Sequence, residues 1–282
     1  MPKFTTFTGT QLNAIRGAAN IGSDNDLIYR APVGSLGDYL SPEVDLWWLQ
    51  NNSSGADLIG GIGLRIHNSQ WIAGSWDNSE TGSRYIDDTA DAQDRNAADD
   101  FSMYCTADDD GMVIGSRCKF GWITLDIDTE NSANAATKVE YWQNDSTWQI
   151  PAATSVKLDE FTITGAKTGT GETSYIWDPA NDWGKVGDVA YGSVITAPDA
   201  SCPPGFYYMR VRIDNADVSA GNVTMSALEI GIHLAEENID DTIIATRGPN
   251  LGYYSPWCDA VVMLNTLYGT GNIAYRVDVR AR

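Results

Sequence analysis

The amino-acid sequence predicts an all-β protein, β-sandwich or jelly-roll-like, built as one elaborated domain or two stacked β-domains with little helix. Three observations carry this. Short runs alternate apolar and polar residues with a period of two. Glycine (27), tryptophan (10) and tyrosine (13) are abundant in the 282 residues, a composition suited to pleated faces joined by turns. Clusters of Gly, Pro, Asn or Asp bound each alternating run.

In chain order, residues 1–30 read as an N-terminal arm or short helix. MPKFTTFTGTQLNAIRG is polar, and TQLNAIRGAAN (10–20) carries the one helical beat, with Leu12, Ile15 and Ala19 on a common face; Gly17 limits it to a modest helix or none. Residues 31–130 form a first β-rich region. VDLWWL (44–49), GIGLRI (61–66) and GWITLDID (121–128) read as strands, the last with Ile123, Leu125 and Ile127 on one side. Between them the polar, acidic DDTADAQDRNAADD (87–100) reads as an exposed loop with one helical turn at most. The small-residue stretch ENSANAAT (130–137) marks a soft boundary to a β-sandwich module over 131–235. There YYMRVRI (207–213) sets Tyr207, Met209, Val211 and Ile213 on one face and Arg210 and Arg212 on the other. The polar AEENIDDT (235–242) precedes residues 236–282, C-terminal strands that complete the fold; NIAYRVDVRAR (272–282) alternates Ile273, Tyr275, Val277 and Val279 with Arg276, Asp278 and Arg280.

Charge excludes several functions. A formal net charge of −20 repels nucleic-acid phosphates and anionic membrane surfaces, and no Lys/Arg cluster offers a local exception, so neither is expected as a partner. No run approaches the length of a membrane-spanning helix, and the first residues lack a charged-then-apolar signal, so synthesis in a host cytoplasm without classical export is expected. Cys105, Cys118, Cys202 and Cys258 make no C-x-x-C pair, which leaves zinc knuckles and thioredoxin-type sites unsupported. A Cys105–Cys118 bridge across a hairpin is conceivable; free thiols of a reducing cytoplasm are the favoured reading.

Enzymatic motifs are equally scarce. With only His67 and His233, three-His zinc sites and H-E-x-x-H helices are excluded. No G-x-S-x-G elbow accompanies either histidine, and both read as strand-face residues with structural hydrogen bonds. TGAKTGTGET (164–173) places Lys167 ahead of Gly169 and Gly171, the wrong order for a phosphate loop. Acidic pairs are too numerous to single out a glycosidase dyad, whose separation in space the sequence does not report. No cofactor is expected. Ca²⁺ stays open on TADDDG (106–111) and IDNAD (213–217), neither of which fits the EF-hand ladder; solvated turns are preferred there.

The aromatic segments remain. YIWDPANDW (175–183) mixes rings with turn chemistry, and its tryptophans could stack on sugars or fill a core. The order VEYWQNDSTW (139–148), LDEFTIT (158–164), YIWDPANDWGKV (175–186), PPGFYYMRVRID (203–214) resembles a β-sandwich module recurrent in structural proteins of tailed phages. DDFSMYCTADDDGMVIGSRCKFGWITLDIDT (99–129) is similar to the strands that precede it, so the resemblance spans about residues 99–230; the chain departs from it in lacking Gly after Asn144. The resemblance implies architectural roles: Trp142, Trp148, Trp177 and Trp183 pinning loops, Pro179 and Asp182 shaping a turn, and Tyr207, Tyr208 and Arg210 on a central strand. It further implies a virion component without catalytic residues. A compact, acidic, β-rich chain lacking coiled coil and spine helix fits a capsid decoration (cement) protein, expected as a homotrimer on the major capsid protein at the capsid surface. Candidate capsid contacts are Phe4, Leu12 and Ile15 of the arm and the basic Arg276, Arg280 and Arg282. The alternatives are a glycan- or receptor-binding module on head or tail, requiring exposed rings such as Trp47, Trp71, Trp76 or Trp257, and a tail or baseplate assembly protein.

Overall fold

The computed structural model describes residues 15–21, 29–32, 42–51, 58–94, 100–129, 137–150, 171–177, 179–213, 223–239, 243–247, 253–254, 258–266 and 271–281. These are all-β, with strands in antiparallel sheets and almost no helix. The chain divides into two compact units, one from 1–67, 172–174 and 230–282, the other from 68–171 and 175–229.

The first unit opens with β1 (Ile15–Ile21), β2 (Tyr29–Pro32), β3 (Pro42–Asn51) and β4 (Leu58–Ile66). The second contributes β5 (Trp71–Trp76), β6 (Tyr85–Asp87), the single-turn α1 (Thr89–Gln93), β7 (Phe101–Met103), β8 (Gly111–Ser116), β9 (Trp122–Thr129), β10 (Thr137–Trp142), β11 (Trp148–Gln149), the ends of β12 (Gly171–Ile176), whose Glu172–Ser174 count with the first unit, β13 (Val189–Ala190), β14 (Ser193–Val194) and β15 (Tyr207–Ile213). The long β16 (Val223–Ile239) starts in the second unit and ends in the first, which then adds β17 (Ile243–Arg247), β18 (Tyr253–Tyr254), β19 (Cys258–Thr266) and β20 (Gly271–Ala281).

In the first unit one sheet has the order β1-β20-β3-β17, with β18 also on β3. The short helix considered over 10–20 is not what Ile15–Ile21 form. They are strand β1, registered from Ile15 opposite Val277 to Ile21 opposite Gly271. A marginal helical beat has no tertiary partner of its own, whereas an alternating β20 offers a continuous ladder, and tertiary pairing overrides weak propensity. The polar Ala235–Ile239 likewise form no break: they continue β16 opposite Ile62–Leu58 of the glycine-rich β4, past a β-bulge between His233 and Ala235. β4 also pairs β19, where the buried Cys258 thiol approaches the Leu64 carbonyl oxygen at 3.8 Å.

The second unit is organised on a six-stranded sheet of order β11-β10-β15-β8-β5-β6. Period-2 alternation gives it two unlike faces. Met209, Val211 and Ile213 of β15, Met112 and Ile114 of β8 and Trp71 of β5 lie on one face, all buried, with β7 packed against β5 and β8. On the other face Trp76, Val113, Trp142 and Tyr208 are roofed by Val186, Ile195, Cys202 and Phe206, residues from a segment with little regular structure. Gly115 permits this roof. A β-carbon there would sit 2.8 Å from the Tyr208 ring, so the ring lies flat on bare backbone. None of the four cysteines is in a disulfide, so the Cys105–Cys118 bridge does not form.

Candidate functional site

Within the second unit Trp177 and Pro179–Trp183 form a corner at the edge of the six-stranded sheet. Trp177 donates its backbone N–H to the Gly121 carbonyl at 2.8 Å, and Asn144 and Gly184 donate theirs to the Asp182 and Trp142 carbonyls at 2.9 and 2.8 Å. Phe120 stands between the two tryptophans, its centroid 5.5 Å from the Trp177 ring and 4.9 Å from that of Trp183, both in tilted or edge contact. The Trp183 indole N–H donates to the Tyr208 carbonyl at 2.8 Å, which ties the corner to the central strand. Asp182 accepts from the Tyr141 hydroxyl at 2.9 Å and from the Gln143 amide. Lys119 donates to the carbonyls of Ala180 and Asn181 at 2.7 and 2.9 Å, satisfying the half-buried turn that begins at Pro179. The backbone groups and side chains named here are therefore used by the fold.

A second aromatic constellation surrounds an ion pair. Trp142 and Trp148 face each other across β10–β11, with ring centroids 4.9 Å apart, and Trp76 meets Trp148 edge-on at 6.2 Å. Arg210 lies over Trp148 at 4.7 Å and over Trp76 at 5.9 Å, and its Nε reaches Glu140 Oε2 at 2.6 Å. Arg212 contacts the other Glu140 oxygen at 3.1 Å and Asp109 at 2.9 Å. Burial pulls the Arg210 guanidinium below its ordinary value, and the Glu140 carboxylate works against that pull. The Trp142 indole donates to the Thr196 carbonyl at 2.8 Å, fixing the roof segment to the same box.

The sequence-derived motif residues thus fall in one neighbourhood: Trp142 and Trp148 beside Arg210, and Trp177, Asp182 and Trp183 beside Tyr207 and Tyr208. Trp177, Trp183, Trp142, Trp71 and Trp76 are all buried. Trp71 and Trp76 are therefore unavailable for stacking on a sugar. Trp257 lies outside the described residues, and Trp47 sits on β3 opposite Thr246 and Val277. Among the proposed capsid contacts, Phe4, Leu12 and Arg282 also lie outside the described residues. Ile15 occupies the β1 register position facing Val277; Arg276 lies between Arg16 and Trp48, and Arg280 opposite Glu43.

The acidic loops are built as turns. Asp110, 1% exposed, accepts from the backbone N–H groups of Asn78, Thr106 and Ala107 and from the Thr106 hydroxyl. These four donors commit the Asp110 carboxylate to the turn. Of IDNAD only Ile213 is described. Among the described residues no group of three or more His, Cys, Asp or Glu side chains is placed to hold a metal ion, and no helix is long and apolar enough to cross a membrane. Asp199 serves a similar joint: burial would raise its carboxyl, but hydrogen bonds from Ser201, Gly82 and Arg84 outweigh burial and hold it below the usual range.

One feature was not legible from the sequence. Val189–Val194 form a free-standing two-stranded hairpin with Tyr191 and Gly192 at its tip, both at positive φ (50° and 82°). Val189, Tyr191 and Val194 are 69%, 87% and 58% exposed. The signal available was the Tyr-Gly pair between alternating valines, a weaker form of the Asn-Gly hairpin turn.

The fold is that of an all-β protein, and among the described residues three of the five exposed large hydrophobic side chains lie in the Val189–Val194 hairpin. No protein-family model and no curated protein matches the chain.

Proposed function

We propose that the chain is a non-enzymatic virion structural protein, a decoration (cement) protein that binds the outer surface of a capsid and stabilises it, with the major capsid protein as its partner and a homotrimer as its working form. The observation that carries this reading is the burial of the W-x-P-x-x-D-W corner: the aromatic run by which the sequence resembles phage structural modules is a joint, with Trp177 and Trp183 clamped on Phe120. The reading also draws support from Glu140, Asp110, Asp182 and Asp199, each held by structural hydrogen bonds or ion pairs. Binding is then a sum of many modest contacts repeated over a symmetric lattice, which multivalency makes tight. The net charge of −20 keeps decorated particles from adhering to one another.

The test is co-sedimentation of the purified chain with expanded, undecorated shells of the phage that encodes it, with soluble glycans as competitors. Saturable binding at a fixed number of chains per capsomer, indifferent to sugar, is the expected result. Glycan-dependent retention without shell binding moves the function to receptor recognition, and shell-independent binding to tail components moves it to tail or baseplate assembly.

A further inference from the structure

The Val189–Val194 hairpin has the marks of a docking element. Among the described residues five large hydrophobic side chains are exposed, and three of them fall within these six positions, so the exposure is concentrated rather than scattered. The finger is closed below its strands by the Ile195 N–H to Asp188 carbonyl bond at 2.8 Å and the Gly187 N–H to Ile195 carbonyl bond at 2.9 Å. A partner therefore meets a preformed shape, and little ordering entropy is lost on contact.

Tyr191 gives the second, independent argument. It occupies the left-handed region at φ 50°, where a bulky L-residue is disfavoured and where Asn, Asp or Gly is the ordinary choice. At 87% exposure, no burial within the chain offsets that conformational cost. A strained aromatic that faces solvent at the tip contributes little burial to the fold, which points to a gain outside it.

Charge indicates what the finger meets. Arg117, exposed, lies over the Phe206 ring at 4.9 Å and would sit 3.8 Å from a β-carbon at Gly205. The adjoining Pro204 would lie 4.0 Å from a β-carbon placed at Gly187 at the finger's base, and Lys185, two residues earlier, stands 5.9 Å from the Tyr207 ring. Asp188 is a carboxylate of that base. In a chain with 38 acidic and 18 basic residues, Arg117 and Lys185 set two cations near the base of an apolar knob. We propose that this hairpin inserts into an apolar pocket rimmed by carboxylates on the shell subunit; the proposal rests on the cement reading and names its contact. Tyr191 is the anchor, the two valines line the pocket walls, and the cations pair with the rim.

The experiment compares wild type, Tyr191→Asn and Arg117→Glu for binding to undecorated expanded shells, with thermal unfolding and sedimentation velocity of the free proteins. Tyr191→Asn relieves the left-handed strain, so its Tm should equal or exceed that of wild type while its shell affinity falls about tenfold or more. Arg117→Glu should weaken binding further as salt is lowered. Wild-type affinity in Tyr191→Asn overturns the hairpin contact and leaves the cement reading standing. Absence of shell binding by wild type brings both down. A loss of self-association in Tyr191→Asn, with shell affinity falling only in step with it, overturns the proposal and assigns the finger to a second copy of the chain. Competition by soluble glycan overturns it in favour of a sugar.

Discussion

At the scale of single residues, Glu140 governs the electrostatics of the second unit. Its side chain is 8% exposed and is shared between two guanidinium groups, one of them boxed by Trp76 and Trp148. A buried pair adds little over an apolar replacement, but removing one partner strands the other in a low-dielectric site. Glu140→Gln is expected to cost about 3–5 kcal/mol, read as a fall in the urea midpoint at unchanged m, while adding Arg210→Met should recover much of the loss. Cys202 sets a pH dependence. Burial beneath the roof is the main cause that pushes its thiol from 9.0 to about 12. The folded state thus keeps this proton where the unfolded chain releases it. The associated stability is whole below pH 9.0 and is lost as pH rises towards 12. Tm should fall across that window, and Cys202→Ala should fall less steeply. Ser146 holds a left-handed position (φ 66°), and its hydroxyl accepts the Thr196 N–H at 2.9 Å, a tether that glycine would lack.

At the scale of elements, alternation was the legible signal. β15 places Met209, Val211 and Ile213 opposite Arg210 and Arg212 because a strand buried on both faces can spend one of them on an ion-pair network, and the charged parity survives in the sequence. The corner was legible too, since Trp177, Pro179, Asp182 and Trp183 combine ring bulk with turn chemistry in nine residues. β1 was not, because its conformation is set by β20, more than two hundred residues away. Ala235–Ile239 read as a break because charge usually marks loops, yet opposite Gly60 and Gly61 a polar strand meets no facing bulk. The hairpin escaped notice because its strands are two residues long and Tyr191 is an unfavourable turn residue. The same mismatch is why Tyr191→Asn should raise Tm while weakening docking. TADDDG read as a turn, but the burial of Asp110 and the turn-forming role of Asp199 were not visible, because amide donors leave no trace in a sequence.

At the scale of the whole molecule, two compact units of antiparallel sheet carry a strongly acidic surface, and the second unit offers a single concentrated apolar finger among its described residues. On the cement reading proposed above, such a surface serves repeated contact over a symmetric lattice. The measurement that tests this most directly is scanning calorimetry of expanded shells with and without saturating protein. The cement account expects the shell-disruption temperature to rise with occupancy and to plateau at the binding stoichiometry. Saturated shells that melt at the temperature of bare ones would contradict it, since a protein that binds without strengthening the lattice is not a cement.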